Sequence, residues 1–149
     1  EEYVDRTTEL TVRILPGWKA GTKITYACQG DEGPGIVAAD LIFELVQVKH
    51  EFYRRNGDDL ECTARVTLAE ALSGTIVRVR TLDGRSLSIS CPEVVSPGYK
   101  KIVPNEGMPV SSSSRRRGNL VVDFEITFPK FIAEPQKLKL KKILNEEIQ

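Results

Sequence analysis

The residues that could carry chemistry are few and widely separated in this chain. It has one histidine, His50, and three cysteines, Cys28, Cys62 and Cys91, with no Cys-x-x-Cys pair. A Ser/His constellation would depend on His50 alone, and the sequence has no P-loop, nucleophile elbow or His-Glu-x-x-His motif. We therefore expect no enzymatic activity, no cofactor and no metal site. We expect His50 to be a half-exposed structural residue and the thiols to be free, reduced, and buried or half-buried.

Two polar segments could bind ions or nucleic acid. The first contains Asn56, Asp58, Asp59 and Glu61. These residues lack the spacing of a calcium loop, so a turn between strands is the better interpretation. The second, SSSSRRRG at 111–118, has three arginines and no aromatic platform, which favours a solvated hairpin connection over nucleic-acid binding.

The composition is typical of a globular protein. Hydrophobic residues make up 40% of the 149 residues, and 21 basic residues balance 21 acidic ones. No apolar run approaches the ~18 residues of a membrane span, and the N-terminal segment lacks the apolar centre of a secretory signal. With no disulfide framework, we expect a reducing compartment, the cytoplasm or alternatively the nucleus.

Most of the chain shows the alternation of polar and apolar residues that predicts β-strands. In the first of these segments Leu10, Val12 and Ile14 would share one face. An Asp83-Gly84 pair predicts a hairpin with a two-residue loop. The predicted strands are ELTVRIL (9–15), TKITYAC (22–28), DLIFELVQV (40–48), DLECTARV (59–66), TIVRVRT (75–81), SLSIS (86–90), KKIVP (100–104) and NLVVDFEITF (119–128).

Two helices are predicted. In TLAEALSG (67–74), Thr67 and Glu70 have capping-box spacing and Gly74 ends a short helix. The second is EPQKLKLKKILNEEIQ (134–149), with Pro135 in its first turn. Its narrow apolar stripe, which excludes Leu138, consists of Leu140, Ile143, Leu144 and Ile148. Because such a short helix is marginal alone in water, the stripe must pack either on its own domain or on a second protomer.

The chain contains an internal repeat. Pro16-Gly17-Trp18-Lys19 returns 81 residues later as Pro97-Gly98-Tyr99-Lys100, and Gly30 returns 77 residues later as Gly107. ADLIFEL from Ala39 corresponds to GNLVVDFEI from Gly118, 79 residues on. Residues 59–96 precede the second Pro-Gly phrase, but only 1–15 precede the first. The repeat therefore predicts two related domains, with the first strands of the first domain lying before residue 1 in a longer protein.

Six phrases in order resemble one family. They are PGWKAGTKITY, ADLIFELVQVKHEFYRRNGDDL, LAEALSG, TLDGRSL, PGYKKIVPNEGMP and RRGNLVVDFEITFP. Together they resemble the C-terminal substrate-binding region of DnaJ-type, or forty-kilodalton heat-shock, co-chaperones. PNEGMP and the helical tail after Phe-Pro are most similar to the class II (type B) branch.

The resemblance implies an all-β fold of two tandem small β-sandwich domains with short helices and a C-terminal dimerisation helix. Residues 1–52 would be the C-terminal part of peptide-binding domain I, 53–132 domain II, and 133–149 the dimerisation helix. Two protomers would form an open homodimer with a cleft between its arms. In this interpretation the stripe of Leu140, Ile143, Leu144 and Ile148 packs on the partner protomer.

The resemblance also implies a function. Such a region binds unfolded or misfolded client polypeptides, and the co-chaperone delivers them to the seventy-kilodalton heat-shock chaperone. The J domain that stimulates this chaperone's ATPase would lie elsewhere in the full-length protein, since His50 is followed by Glu51 and not by Pro-Asp. We expect neither nucleic-acid nor membrane binding. The alternative from another class is a β-sandwich adaptor that recognises one folded protein partner.

Site residues follow from the same resemblance. Phe43 matches the family's groove aromatic, and Leu41 and Leu45 would share its face of a strand. The alternative is that Phe43 is ordinary sandwich core. Lys49 is the candidate for contact with the partner chaperone's acidic tail: near the end of this strand, where the family often has a lysine, the sequence has Val48 followed by Lys49.

Overall fold

The computed structural model describes residues 7–27, 30, 33, 35, 37–110 and 115–147. Within these residues the fold is rich in β-structure, with eight strands and two helices. The elements are β1 (Lys23–Tyr26), β2 (Leu41–Glu44), β3 (Arg54–Asn56), β4 (Asp59–Thr67), α1 (Leu68–Ser73), β5 (Thr75–Arg80), β6 (Ser86–Cys91), β7 (Lys100–Val103), β8 (Leu120–Thr127) and α2 (Glu134–Glu147).

The strands of the described residues form three sheets. β1 pairs with β2 in an antiparallel sheet, with Ile24 opposite Phe43 and Tyr26 opposite Leu41. β5 and β6 form an antiparallel hairpin, and a four-stranded sheet has the order β3-β4-β8-β7. β7 and β8 are therefore neighbours, as are β1 and β2, their counterparts in the repeat.

The chain divides into two compact units. The first contains Glu1–Leu60 and Pro104–Leu120, and the second contains Glu61–Val103 and Val121–Gln149. Domain boundaries at residues 52 and 132, which the resemblance implies, stay a prediction.

The buried apolar residues lie mainly in the second unit. β4 buries alternate residues, as a strand with one face toward a core must do. Ala71 of α1 joins this core, and the Val95 N–H donates to the Ala71 carbonyl over 2.8 Å. The buried residues of the second unit are Cys62, Ala64, Val66, Ala71, Val79, Ile89, Cys91, Val95 and Val122.

The internal repeat is visible in the backbone. The Trp18 N–H donates to the Leu15 carbonyl over 3.3 Å, and the Tyr99 N–H donates to the Ser96 carbonyl over 3.0 Å. Gly17 and Gly98 occupy the third turn position with φ of 90° and 85°. Proline followed by a glycine with positive φ is the signature of a type II turn, so both Pro-Gly phrases form the same turn.

A second pair of equivalent contacts follows each turn. The Gly30 N–H donates to the Ala39 carbonyl over 2.7 Å, and the Gly107 N–H donates to the Gly118 carbonyl over 2.8 Å. These donors and acceptors are the matched positions of the sequence repeat. The repeat is therefore a structural one, carried by two turns and two closed glycine loops.

The short predicted helix is confirmed with its cap. The Glu70 N–H donates to Thr67 Oγ1, and the Thr67 N–H donates to Glu70 Oε1, which completes a capping box before α1. The Gly74 N–H donates to the Glu70 carbonyl and closes the helix. The hydrogen bonds with Thr67, first that of its backbone N–H and then that of its hydroxyl, hold the pKa of the Glu70 carboxyl below its usual value.

The Asp83-Gly84 hairpin is confirmed, but its loop is longer than predicted. The Thr81 N–H donates to the Arg85 carbonyl over 2.9 Å, which leaves residues 82–84 as a three-residue loop. The Thr81 hydroxyl and the Arg85 guanidinium both donate to the Asp83 carboxylate. These bonds stabilise the longer loop and lower the pKa of Asp83 to about 2.

Two strand predictions need correction. Residues 9–15 form no strand, because no strand of the described part of the chain pairs with their backbone, and Ile14 is exposed. The segment 40–48 is a strand only at 41–44, because its partner β1 has just four residues in register. A strand requires a partner for its backbone groups, which alternation of side chains alone does not supply.

Candidate functional site

The first candidate site is one face of the β1–β2 sheet. Residues directly opposite each other in an antiparallel pair share a face, so the register places four apolar side chains together. We call this the β1–β2 apolar face: Ile24, Tyr26, Leu41 and Phe43. The opposite face carries Lys23, Thr25, Ile42 and Glu44, all exposed.

Phe43 is the most exposed residue of the β1–β2 apolar face. Its side chain is 38% exposed, and Leu41 and Leu45 are half-buried. The Tyr26 ring meets the Phe43 ring edge-on with centroids 5.7 Å apart. Leu45 lies just beyond β2 and continues the ladder, because its N–H donates to the Thr22 carbonyl over 2.8 Å. Leu41, Phe43 and Leu45 thus border one apolar surface.

The repeat provides an internal comparison for this surface. Leu41 and Phe43 correspond to Leu120 and Val122 of β8, which are 1% and 0% exposed. The same strand face is therefore buried in β8 and half-open in β2. Both interpretations of Phe43 from the sequence, groove aromatic and core residue, remain hypotheses.

Sequence reasoning missed the two β1 members of the face. Ile24 and Tyr26 were predicted only as part of a strand, although they alternate with the polar Lys23 and Thr25. That alternation shows that the two share a face, but it does not say which strand lies opposite. The register with β2 supplies this information.

The second candidate site is the apolar stripe of α2. Every side chain from Glu134 to Glu146 is exposed, and the stripe residues Leu140, Ile143 and Leu144 are exposed by 40, 55 and 41%. Among the described residues, no side chain covers this stripe as a lid would. Ile148, the fourth predicted member, lies outside the described residues. Neither helix of the described chain is long and apolar enough to span a bilayer.

His50 has a structural role next to Lys49, which is exposed. His50 Nδ1 accepts the N–H of Phe52 over 3.0 Å and the N–H of Tyr53 over 3.1 Å, and so closes the turn before β3. Its ring lies 5.6 Å from the buried Tyr53 ring. The prediction of a structural histidine is confirmed, although His50 is exposed and not half-exposed.

The acidic segment at residues 56–61 has a structural role. Asn56 and Asp59 flank the two-residue β3–β4 turn, Asp58 Oδ1 lies 3.4 Å from Lys19 Nζ, and Asp59 Oδ1 accepts the Asn119 N–H over 2.7 Å. In the described ranges, no group of three or more His, Cys, Asp or Glu side chains could hold a metal ion. Cys62 and Cys91 are buried free thiols as predicted, whereas Cys28 is outside the described residues.

The serine–arginine segment joins two paired strands. The Val110 N–H donates to the Arg116 carbonyl over 3.0 Å, and Pro109 bridges to Arg117, which is consistent with the predicted hairpin connection. Residues 111–114 themselves lie outside the described residues.

Comparison with known proteins places the chain in one family. The family model for the DnaJ C terminal domain matches residues 2–129. The chain is 39% identical to human DnaJ homolog subfamily B member 13 over 135 residues, which is 91% of this chain and 43% of the relative. It is 37% identical to human DnaJ homolog subfamily B member 5 over 135 residues, which is 91% of the chain and 39% of the relative.

A yeast relative extends the comparison. The chain is 37% identical to the protein SIS1 of Saccharomyces cerevisiae over 131 residues, which is 87% of this chain and 37% of the relative. The chain therefore spans less than half the length of these relatives.

Proposed function

The chain belongs to the DnaJ C-terminal domain family, in its class II branch, and on that premise we propose that it binds non-native client polypeptides and dimerises. In the full-length co-chaperone, this region would hold clients for delivery to the seventy-kilodalton heat-shock chaperone. We place that activity in the cytoplasm, with the nucleus as the alternative. The protein would act as a chaperone without catalytic chemistry of its own.

The half-open β1–β2 apolar face is the observation that carries the client-binding proposal. Phe43 is 38% exposed although its counterpart in the repeat is fully buried. Unfolded chains offer apolar side chains that folded proteins hide, so a surface of Ile24, Tyr26, Leu41 and Phe43 would favour non-native clients. An extended client segment could also add backbone hydrogen bonds to a sheet edge, and these bonds are independent of its sequence.

The exposed stripe of α2 supports the dimerisation proposal. Ile143 and Leu144 follow Leu140 by three and four residues, so all three lie on one side of the helix. A 14-residue helix is marginal in water without packing, and a second copy of the same helix would cover the stripe in a symmetric interface. Two linked binding faces would then hold one long client by avidity.

Lys49 is the proposed point of contact with the partner chaperone. Lys49 is exposed directly after the β2 region, where it could pair with an acidic tail. A single exposed ion pair contributes roughly 0–1 kcal/mol, so Lys49 would act only together with other contacts.

Client binding is tested with two substitutions on neighbouring positions of β2. Phe43→Ser removes the aromatic from the β1–β2 apolar face, and Ile42→Ser makes a similar change on the opposite, exposed face. We expect the wild-type chain and Ile42→Ser to slow aggregation of a heat-denatured test enzyme, and Phe43→Ser to slow it much less. Equal protection by both variants would contradict the assignment of the face.

Dimerisation is tested by sedimentation equilibrium. We expect a species of twice the 16.6 kDa chain mass, which Leu144→Asp converts to monomer. Leu138→Asp is the matched control, because Leu138 lies off the stripe and is exposed. A wild-type chain that stays monomeric at high micromolar concentration would refute the dimer.

A further inference from the structure

Arg55 of β3 forms an unusual set of hydrogen bonds. Its Nη1 donates to the Trp18 carbonyl over 2.7 Å and its Nη2 donates to the Gly17 carbonyl over 3.1 Å. Its Nε donates to the Gly57 carbonyl over 2.8 Å. All three acceptors are backbone carbonyls, and two of them belong to the type II turn at Leu15–Trp18. One guanidinium thus ties that turn to the β3–β4 hairpin, 37 residues further along the chain.

Two further contacts hold the same turn. A Cβ added to Gly17 would lie 2.5 Å from the Pro109 carbonyl oxygen, so this turn lies directly against the 104–110 loop. Lys19 Nζ lies 3.4 Å from Asp58 Oδ1. Gly98, which occupies the same position in the other Pro-Gly turn, has nothing within 4 Å of such a Cβ. The close packing is therefore specific to the first turn and is not a general property of the phrase.

The residues that follow this turn are hydrogen-bonded to the β1–β2 sheet. The Lys19 carbonyl accepts both the Thr22 N–H, over 3.2 Å, and the Thr22 hydroxyl, over 2.6 Å. The Gly21 N–H donates to the Leu45 carbonyl over 2.9 Å, and the Leu45 N–H donates to the Thr22 carbonyl over 2.8 Å. Arg55 is thus joined to Leu45, at the end of the β1–β2 sheet, by hydrogen bonds and by the peptide bond between Trp18 and Lys19.

We propose that Arg55 is a positioning residue for client binding: it fixes the Leu15–Trp18 turn and, through Thr22 and Leu45, the geometry of the β1–β2 apolar face. This inference rests on the proposed client-binding function. We assign Arg55 no direct contact with the client, since each of its three guanidinium nitrogens donates to a backbone carbonyl, of Gly57, Trp18 or Gly17.

The chemistry of arginine suits this role. Its planar guanidinium presents several donors in a fixed fork, and it remains charged at all relevant pH values. Hydrogen bonds from a charged donor are stronger than those between neutral groups. A lysine at the same position would offer one compact ammonium group, which cannot reach the three carbonyls with the same geometry. The β1–β2 sheet has only four residues per strand, so its edges depend on such support.

Amide hydrogen exchange tests the coupling without any client. We expect Arg55→Ala to speed exchange of the Gly21 and Leu45 amides at least about tenfold, with the amides of the β5–β6 hairpin unchanged as the reference for global stability. Arg55→Lys should give an intermediate increase. The matched control is Arg65→Ala, which removes an arginine whose Nε pairs with Glu125 Oε2 on the surface. The emission of Trp18, the one tryptophan of the chain, should shift to the red only in the Arg55 variants.

Client affinity is then measured with fluorescently labelled, reduced and carboxymethylated lactalbumin, a permanently unfolded chain. We expect Arg55→Ala to weaken binding at least about fivefold and Arg65→Ala to leave it unchanged. Unchanged exchange at Gly21 and Leu45 would overturn the proposal, and so would faster exchange in both sheets, which would indicate a general loss of stability. Faster exchange in the first sheet with unchanged affinity would also overturn it.

The failure of the proposed function would look different. In that case the wild-type chain itself would not bind the unfolded lactalbumin, and the positioning role would fail with it. The exchange data would still report whether Arg55 and Leu45 are coupled.

Discussion

Gly118→Ala should destabilise the protein through a steric clash and not through backbone conformation. A Cβ at this position would lie 2.1 Å from the Asp58 carbonyl oxygen, 2.5 Å from the Asp58 carbonyl carbon and 2.8 Å from Asp59 Oδ1. Two of these atoms are backbone, so no side-chain rotation can make room. Gly118 is not among the glycines with positive φ, so alanine could adopt its backbone conformation if there were space.

The loss of stability can be worked out from the hydrogen bonds that would break if the backbone moved to make room for the Cβ. The Gly118 N–H donates to the Met108 carbonyl over 2.9 Å, and the Met108 N–H donates to the Asp58 carbonyl over 2.8 Å. Nearby, the Asn119 N–H donates to Asp59 Oδ1 over 2.7 Å. At ~1 kcal/mol for each bond, losing these three lowers the free energy of unfolding by about 3 kcal/mol.

Gly98→Ala is the matched control for this experiment. Gly98 has φ of 85° and nothing within 4 Å of an added Cβ, so the substitution causes only backbone strain, which costs roughly 1–2 kcal/mol. Urea unfolding followed by circular dichroism measures both variants, with unchanged m-values as the test that the comparison is valid. A Gly118→Ala variant no less stable than Gly98→Ala would refute the steric reasoning.

Three further predictions follow from the cap and the hairpin of the second unit. Thr67→Ala should lower the free energy of unfolding by about 1 kcal/mol in urea denaturation, because it removes the N-cap of α1, whereas Thr67→Ser should retain most of that stability. The stability difference between wild type and Glu70→Gln should be present at pH 7 and diminish as pH falls through the lowered pKa of Glu70, since the hydrogen bonds that Glu70 accepts favour its carboxylate form; a difference that does not diminish with falling pH would contradict this. NMR titration should give a pKa of about 2 for Asp83, and Thr81→Val should move it up toward 3.8, because the Thr81 hydroxyl is the main cause of the shift; no change in the variant would assign the shift to Arg85 instead.

Helices and turns could be predicted from the sequence where all the residues that determine them lie in one short segment. The capping box of Thr67 and Glu70 is complete within four residues, and the helix at 134–147 shows its own periodicity. Asp83-Gly84 indicated the hairpin, but not the extra loop residue, which depends on the hydrogen bonds of Thr81 with Asp83 and Arg85. Local patterns therefore identify elements better than they identify loop geometry.

Features that depend on distant partners were not predictable in this way. The segment 9–15 alternates well but forms no strand, because alternation does not provide a pairing strand. The tie between Arg55 and the Gly17 and Trp18 carbonyls links positions 37 or more residues apart, and no motif in the sequence indicates it. The candidate face was predicted through Phe43 and its neighbours, whereas its other half, Ile24 and Tyr26, became evident only with the register of β1 and β2.

The most direct test of client binding compares an unfolded and a folded form of one protein. Fluorescence anisotropy can measure binding of the 149-residue chain to labelled lactalbumin, either reduced and carboxymethylated or native. We expect saturable binding to the unfolded form alone, weakened about tenfold by Phe43→Ser, which corresponds to ~1.4 kcal/mol. Absence of binding to the unfolded form, or equal binding to the native protein, would contradict it.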